Sequence, residues 1–179
     1  MRPPLILLFA ISAVAALLIS PVVMPRYILN LSQSVPVGFY RFEGRDLERG
    51  DLVVIRLGQP WHDLARSRGY LLSKAWLIKP VAALAGDRVC RLEQVITVNG
   101  RLSAVAQPAD EKGRSLPKWD GCRKLAQDEM FLLSNVEGSF DGRYFGVTPR
   151  SALIAKAIPV SWYGHYPTRR TAVYRWDRH

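Results

Sequence analysis

Two patterns of hydrophobic residues divide the chain. From position 3 to 25 the sequence PPLILLFAISAVAALLISPVVMP carries no charge, and its only hydroxyls are Ser12 and Ser20. Beyond it the apolar runs are short and are set off by Gly, Pro and Asp. DLVVIR (51–56), WLIKPVAAL (76–84), and the stretches 88–91, 95–98, 130–133, 144–148 and 152–162 read as strands. Asn99-Gly100 forms a two-residue hairpin turn before Arg101-Leu102. One short helix is expected near 61–68, with Pro60 at its start, and 108–121 is a surface loop rich in Pro, Gly and charge. The expected fold is mainly β: a folded antiparallel sheet assembly of many short strands, with one N-terminal transmembrane helix and a short extra helix.

As a helix, residues 3–25 would span roughly 34 Å at ~1.5 Å per residue, enough for a hydrocarbon core of about 30 Å. A cleaved secretory signal is the alternative. Its apolar region is usually only ~7–15 residues long, and it ends in a small-x-small site. No such site lies between the run and Arg26. The expected organisation is a retained membrane anchor over 1–26 and one domain over 27–179. Local charges at the two ends of the run almost balance, so they do not set its orientation.

Composition narrows the classes further. Lys and Arg number 25 against 15 Asp and Glu, a formal net charge of +10, which could suggest nucleic acid. However, the basic residues are scattered, with clusters only at 66–68 and 169–178, and no zinc-finger or helix-turn-helix motif accompanies them. Nucleic acid is therefore not an expected partner, and the charge is either an ordinary solvated surface or that of a basic domain held near anionic lipid headgroups. Hydrophobic residues make up 49%, enough for a core. Two cysteines are too few for a four-cysteine zinc site. His62, His165 and His179 stand in no triad-like pattern, and GxSxG, HExxH and P-loop motifs are absent. No metal or cofactor is expected.

Three segments could carry chemistry. In NLSQSVPVGFYRF (30–42), Ser32 and Ser34 precede a turn favoured by Pro36 and Gly38. LIKPVAALAGDRV (77–89) sets Lys79 alone in an apolar strand. There burial would lower its pKa from ~10.4 to about 8 and make it a usable base, unless the side chain reaches the surface. SNVEGSFDGRYFGVTP (134–149) spaces Ser139, Asp141 and Arg143 alternately, which projects all three to one face if the segment is extended.

Together with RGDLVV (49–54), VNG (98–100) and ALIAKAIPVSW (152–162), these segments resemble the type I signal peptidases, most closely their conjugal-transfer branch, the TraF-type peptidases. The resemblance covers most of residues 1–165. It implies a membrane-anchored serine endopeptidase with a Ser-Lys dyad, in which Ser34 is the nucleophile and Lys79 the general base. Ser32 corresponds to a hydroxyl that helps the Ser34 N–H bind the oxyanion. Ser139 corresponds to the serine that orients the lysine, and Asp141 and Arg143 to a supporting charged pair. General signal peptidases have a methionine after the nucleophile and one more residue before the turn proline, whereas here Val35 is followed directly by Pro36. Gly38, Gly138 and Gly142 also depart from that pattern. These differences suit the TraF-type branch.

The resemblance further implies cleavage of a conjugative pilin precursor, with ring closure of the pilin when an amine intercepts the acyl-enzyme. The expected partners are that precursor or another preprotein, membrane lipid, and components of a conjugative type IV secretion apparatus. The expected location is the bacterial inner membrane, crossed once, with the catalytic domain in the periplasm. A general signal peptidase and a non-catalytic envelope scaffold are the rival functions. Cys90 and Cys122 are either a disulfide, which an oxidising periplasm favours, or two free buried thiols.

Overall fold

The computed structural model describes residues 27–71 and 76–162. The expected anchor over 1–26, His165, His179 and the basic cluster at 169–178 lie outside them. Among the described residues no helix is long and apolar enough to cross a membrane.

Among the described residues eleven strands form two sheets: β1 (Tyr27–Asn30), β2 (Gly38–Glu43), β3 (Leu52–Arg56), β4 (Trp76–Ala83), β5 (Arg88–Leu92), β6 (Val95–Val98), β7 (Arg101–Val105), β8 (Gly121–Lys124), β9 (Glu129–Leu132), β10 (Thr148–Pro149) and β11 (Leu153–Trp162). Seven are ordered β1-β2-β11-β3-β4-β9-β10 and four β7-β6-β5-β8. The pairings are antiparallel throughout. A mainly β domain of short antiparallel strands is thus what the structure shows. The helix over Trp61–Ser67 also appears where expected.

The centre of the larger sheet, β3 and β4, is covered on both faces, so these strands read as continuous apolar runs rather than alternating ones. On one face Val53, Val81, Leu132, Phe140 and Tyr144 form the main core. On the other, Val35, Tyr40, Leu52, Val54, Ile78 and Ala157 pack together. Alternation along β4 sends Lys79 towards the first face, with Val81 and the partly buried Leu77.

The expected strand at 144–148 is corrected. A one-turn helix, Gly142–Phe145, takes its first two residues, and β10 is only two residues long. Asp141 caps this turn by accepting from the Arg143 N–H at 3.1 Å, and Gly146, at φ 75°, ends it. A side chain at Gly142 would meet the Leu132 carbonyl at 2.6 Å and the Phe131 ring at 2.8 Å. The turn therefore packs directly on β9.

Cys90 and Cys122 are joined by a disulfide across β5 and β8. Asp87, buried just before β5, binds three of the sequence boxes together. It accepts from Arg49 of RGDLVV, from Asn99 of VNG at 2.9 Å, and from the Leu84 N–H at 2.8 Å. Burial pushes its pKa up, but these donors outweigh it and hold the carboxyl below the usual carboxylate value.

Candidate active site

Lys79 lies in β4 opposite Val53 of β3, in register with the backbone ladder. Only 2% of it is exposed, so it does not reach the surface. Burial pushes its pKa down to about 8. The Asp141 carboxylate pulls it back up and the Arg143 guanidinium pushes it down.

Ser34 lies on the loop 31–37, which joins β1 to β2. Side chains hold this loop. Val35, 1% exposed, plugs into the second core cluster. Asn30 Nδ2 donates to the carbonyls of Ser32, Val35 and Pro36 at 2.8, 3.0 and 2.9 Å. Tyr40 OH donates to the Pro36 carbonyl at 2.7 Å. From across the sheet, Ser134 Oγ donates to the Ser34 carbonyl at 2.6 Å.

The two elements bring Lys79 Nζ within 2.7 Å of Ser34 Oγ. Nζ also donates to Ser139 Oγ at 2.6 Å, and Ser139 Oγ lies 3.0 Å from Ser34 Oγ. The three polar atoms form a compact triangle fixed from three separate segments of the chain.

Asp141 and Arg143 do not reach this triangle as an alternating extended face would require. Arg143 belongs to the one-turn helix, and Asp141 caps it. Their ion pair is buried, with Arg143 Nε and Nη2 donating to Asp141 at 2.9 and 3.0 Å. The pair also grips Ser134: its N–H donates to Asp141 Oδ2 at 2.9 Å and its carbonyl accepts from Arg143. Through Ser134 the pair therefore braces the Ser34 loop, while its charges act on Lys79 electrostatically.

Ser32 Oγ donates to Asn30 Oδ1 at 2.8 Å and lies with Ser34 and Lys79 on the wall of one cavity. His62 faces Asp63 on the helix Trp61–Ser67 and takes no part in the site. Sequence reasoning missed Asn30 and Ser134. Asn30 had a weak signal, as a polar residue ending an edge strand just before the SxSxP turn. Ser134 had none, because its role depends on a contact 100 positions away in the chain.

A cavity of about 500 Å³ opens beside the triangle. Leu77, Phe140 and Tyr144 give it an apolar floor, and Tyr70, Asp110 and Arg114 stand on its far wall. That wall is tightly bonded: Asp110 accepts from Tyr70 OH at 2.6 Å and from Arg114 Nε at 2.7 Å. Among the described residues no cluster of His, Cys, Asp and Glu could hold a metal ion.

Residues 3–162 match the family described as signal peptidase, peptidase S26, and the chain belongs to that family. Its relatives include a plasmid transfer protein TraF from Escherichia coli, 34% identical over 145 residues, covering 74% of this chain and 80% of that protein. A conjugal transfer protein TraF from Agrobacterium fabrum is 35% identical over 144 residues, covering 75% of this chain and 81% of that protein. A probable conjugal transfer protein TraF from Sinorhizobium fredii is 35% identical over 176 residues, covering 89% and 90%. A crystal structure of a signal peptidase I from Enterococcus faecalis is similar over 64% of this chain and 98% of its own, at 16% identity and a TM-score of 0.37.

Proposed function

We propose that this chain is a membrane-anchored serine endopeptidase that uses Ser34 and Lys79 as a catalytic dyad to cleave an exported precursor of a conjugation apparatus. The observation that carries the reading is the 2.7 Å approach of a buried lysine amine, with a pKa of about 8, to the Ser34 hydroxyl. Such an amine is neutral in a useful fraction of molecules near pH 7 and can accept a proton.

In this mechanism neutral Lys79 takes the Ser34 proton as Ser34 Oγ attacks the scissile carbonyl. The Ser34 N–H and the Ser32 hydroxyl stabilise the oxyanion, the latter after turning away from Asn30 Oδ1. Ser139 accepts an N–H from Nζ, which leaves the single lone pair of the neutral amine to face Ser34. The lysine, now protonated, gives the proton to the leaving amine. Water then resolves the acyl-enzyme, or a second amine does so and closes a ring.

The apolar run 3–25 serves as a single-pass anchor, with the domain from residue 27 on the periplasmic side of the inner membrane. Ser34 follows Pro25 by nine residues, which confines cleavage to the bilayer surface. The Cys90–Cys122 disulfide is compatible with that oxidising compartment. The substrate in this reading is a conjugative pilin precursor, which the names of the relatives as plasmid and conjugal transfer proteins support.

Incubating the purified chain with the propilin of its own conjugative system and with a general secretory preprotein tests this. The expected result is cleavage of propilin, and none with Ser34→Ala or Lys79→Ala. Equal cleavage of both substrates would instead indicate a general signal peptidase. Full pilin maturation by either mutant would remove the dyad and leave a scaffold.

A further inference from the structure

The loop that carries Ser34 has no ladder of its own, so its shape must come from side chains that answer its backbone groups. Asn30 does most of this. It is the last residue of β1, paired with Gly38, the first residue of β2, and so sits at the neck of loop 31–37. The residue is only 7% exposed, and its side chain points into the loop rather than into the sheet. Its amide nitrogen donates to three carbonyls, those of Ser32, Val35 and Pro36, which flank Ser34 on both sides. Its oxygen accepts from the Ser32 N–H at 3.1 Å and from the Ser32 hydroxyl at 2.8 Å. All its donor and acceptor capacity is spent on this one loop.

Resting on the dyad reading above, we propose that Asn30 is the positioning residue of the nucleophile loop. It holds Ser34 Oγ at the lysine and keeps the Ser32 hydroxyl parked beside the oxyanion site until substrate arrives. Asn30 touches neither the reacting atoms nor Lys79. It acts through the backbone of the loop and through the orientation of one hydroxyl.

Two chemical features make the assignment specific to an amide. Aspartate has the same size and keeps the acceptor for Ser32, but its oxygen faces three carbonyls that need a donor. It also binds the Ser32 hydroxyl more strongly, because a hydrogen bond to a charged acceptor is stronger than one to a neutral one. Asn30→Asp should therefore misplace Ser34 and hold back Ser32 together. Asn30→Ser removes the reach to Val35 and Pro36 without adding charge. Asn30→Ser adds no charge and touches neither Lys79 nor Ser139, so its pH dependence, set by the lysine, should stay where it is, whereas the carboxylate of Asn30→Asp favours the protonated lysine and moves the profile upward.

The test measures propilin cleavage by the full-length wild type, Asn30→Asp and Asn30→Ser, well below each protein's Tm. Ser34→Ala and Lys79→Ala are run alongside. The expected result for Asn30→Asp is a fall in kcat of about 30-fold or more, with KM within threefold of wild type. In Asn30→Ser the rise of rate with pH should still centre near 8. If Asn30→Asp melts below the assay temperature, Asn30→Ser carries the same comparison. A folded variant whose kcat stays within threefold of wild type overturns the assignment. So does unfolding of both variants, which would make Asn30 a residue of the fold alone. Cleavage that persists in Ser34→Ala or Lys79→Ala overturns the dyad itself. Cleavage lost there but kept in the Asn30 variants overturns only the positioning role.

Discussion

The two halves of the proposed dyad are held in opposite ways. Lys79 is fixed by a central strand: a backbone ladder to β3 on one side and β9 on the other, with core packing against its own face. Ser34 is fixed by a loop whose shape depends on single side chains, those of Asn30, Tyr40, Val35 and Ser134. The strand half gains its chemistry from desolvation, which any sufficiently buried position provides. The loop half gains its chemistry from alignment, which needs several hydrogen bonds to be right at once. Burial is robust to small changes and alignment is not.

The largest expected effect separates function from stability on the strand side. Lys79→Met should lower cleavage at least about a thousandfold, as loss of a general base does. Because burial of the charged amine disfavours folding below pH 8, the same change should leave Tm at pH 7 unchanged or raise it. A shift from ~10.4 to about 8 corresponds to about 3 kcal/mol of relief. Calorimetry beside a cleavage assay checks both, and a large fall in Tm would contradict the account of Lys79 as a strained group.

Arg143→Ala strikes the brace behind the loop. It leaves Asp141 buried without its partner and frees the Ser134 carbonyl. The expected loss is about 3–5 kcal/mol in urea unfolding. Gly142→Ala should cost less, about 1–3 kcal/mol, by pressing a methyl group on the Leu132 carbonyl and the Phe131 ring. Thermal melts of the two variants would give the order.

The smallest effect is the dependence of wild-type rate on pH. The base must be neutral, so kcat/KM should rise about tenfold per unit below pH 8 and level off above it. Stability follows the same group with its own sign. The folded lysine releases its proton near 8 and the unfolded one near ~10.4, so the unfolded chain holds more protons between these values. This contribution therefore raises stability as pH climbs through that window. A flat rate profile from pH 6 to 9 would show that Lys79 is not the base.

How far each half could be read from the sequence follows from the same difference. A lone lysine among Leu77, Ile78, Val81 and Leu84 is a local signal, and its lowered pKa follows from burial alone. The strands 51–56, 76–84 and 95–98 were equally legible from their apolar runs. β8 was not, because Gly121–Lys124 is polar and exposed and is held by its pairing to β5 and the disulfide. The alternation of Ser139, Asp141 and Arg143 suggested an extended face. The Asp141 cap instead wound the segment into a turn, a choice made by tertiary packing on β9. The contacts of Asn30 and Ser134 with the Ser34 loop are questions of loop shape and long-range proximity, and neither has a periodicity to read.

Asp87 adds a different consequence. The boxes that make this chain recognisable, RGDLVV, the GDRV end of 77–89 and VNG, converge on one carboxylate remote from the hydroxyl–amine pair. They are the rivets of the frame. A descendant could keep every one of them, fold identically and be scored as kin, yet have lost the proposed nucleophile through one atom at position 34.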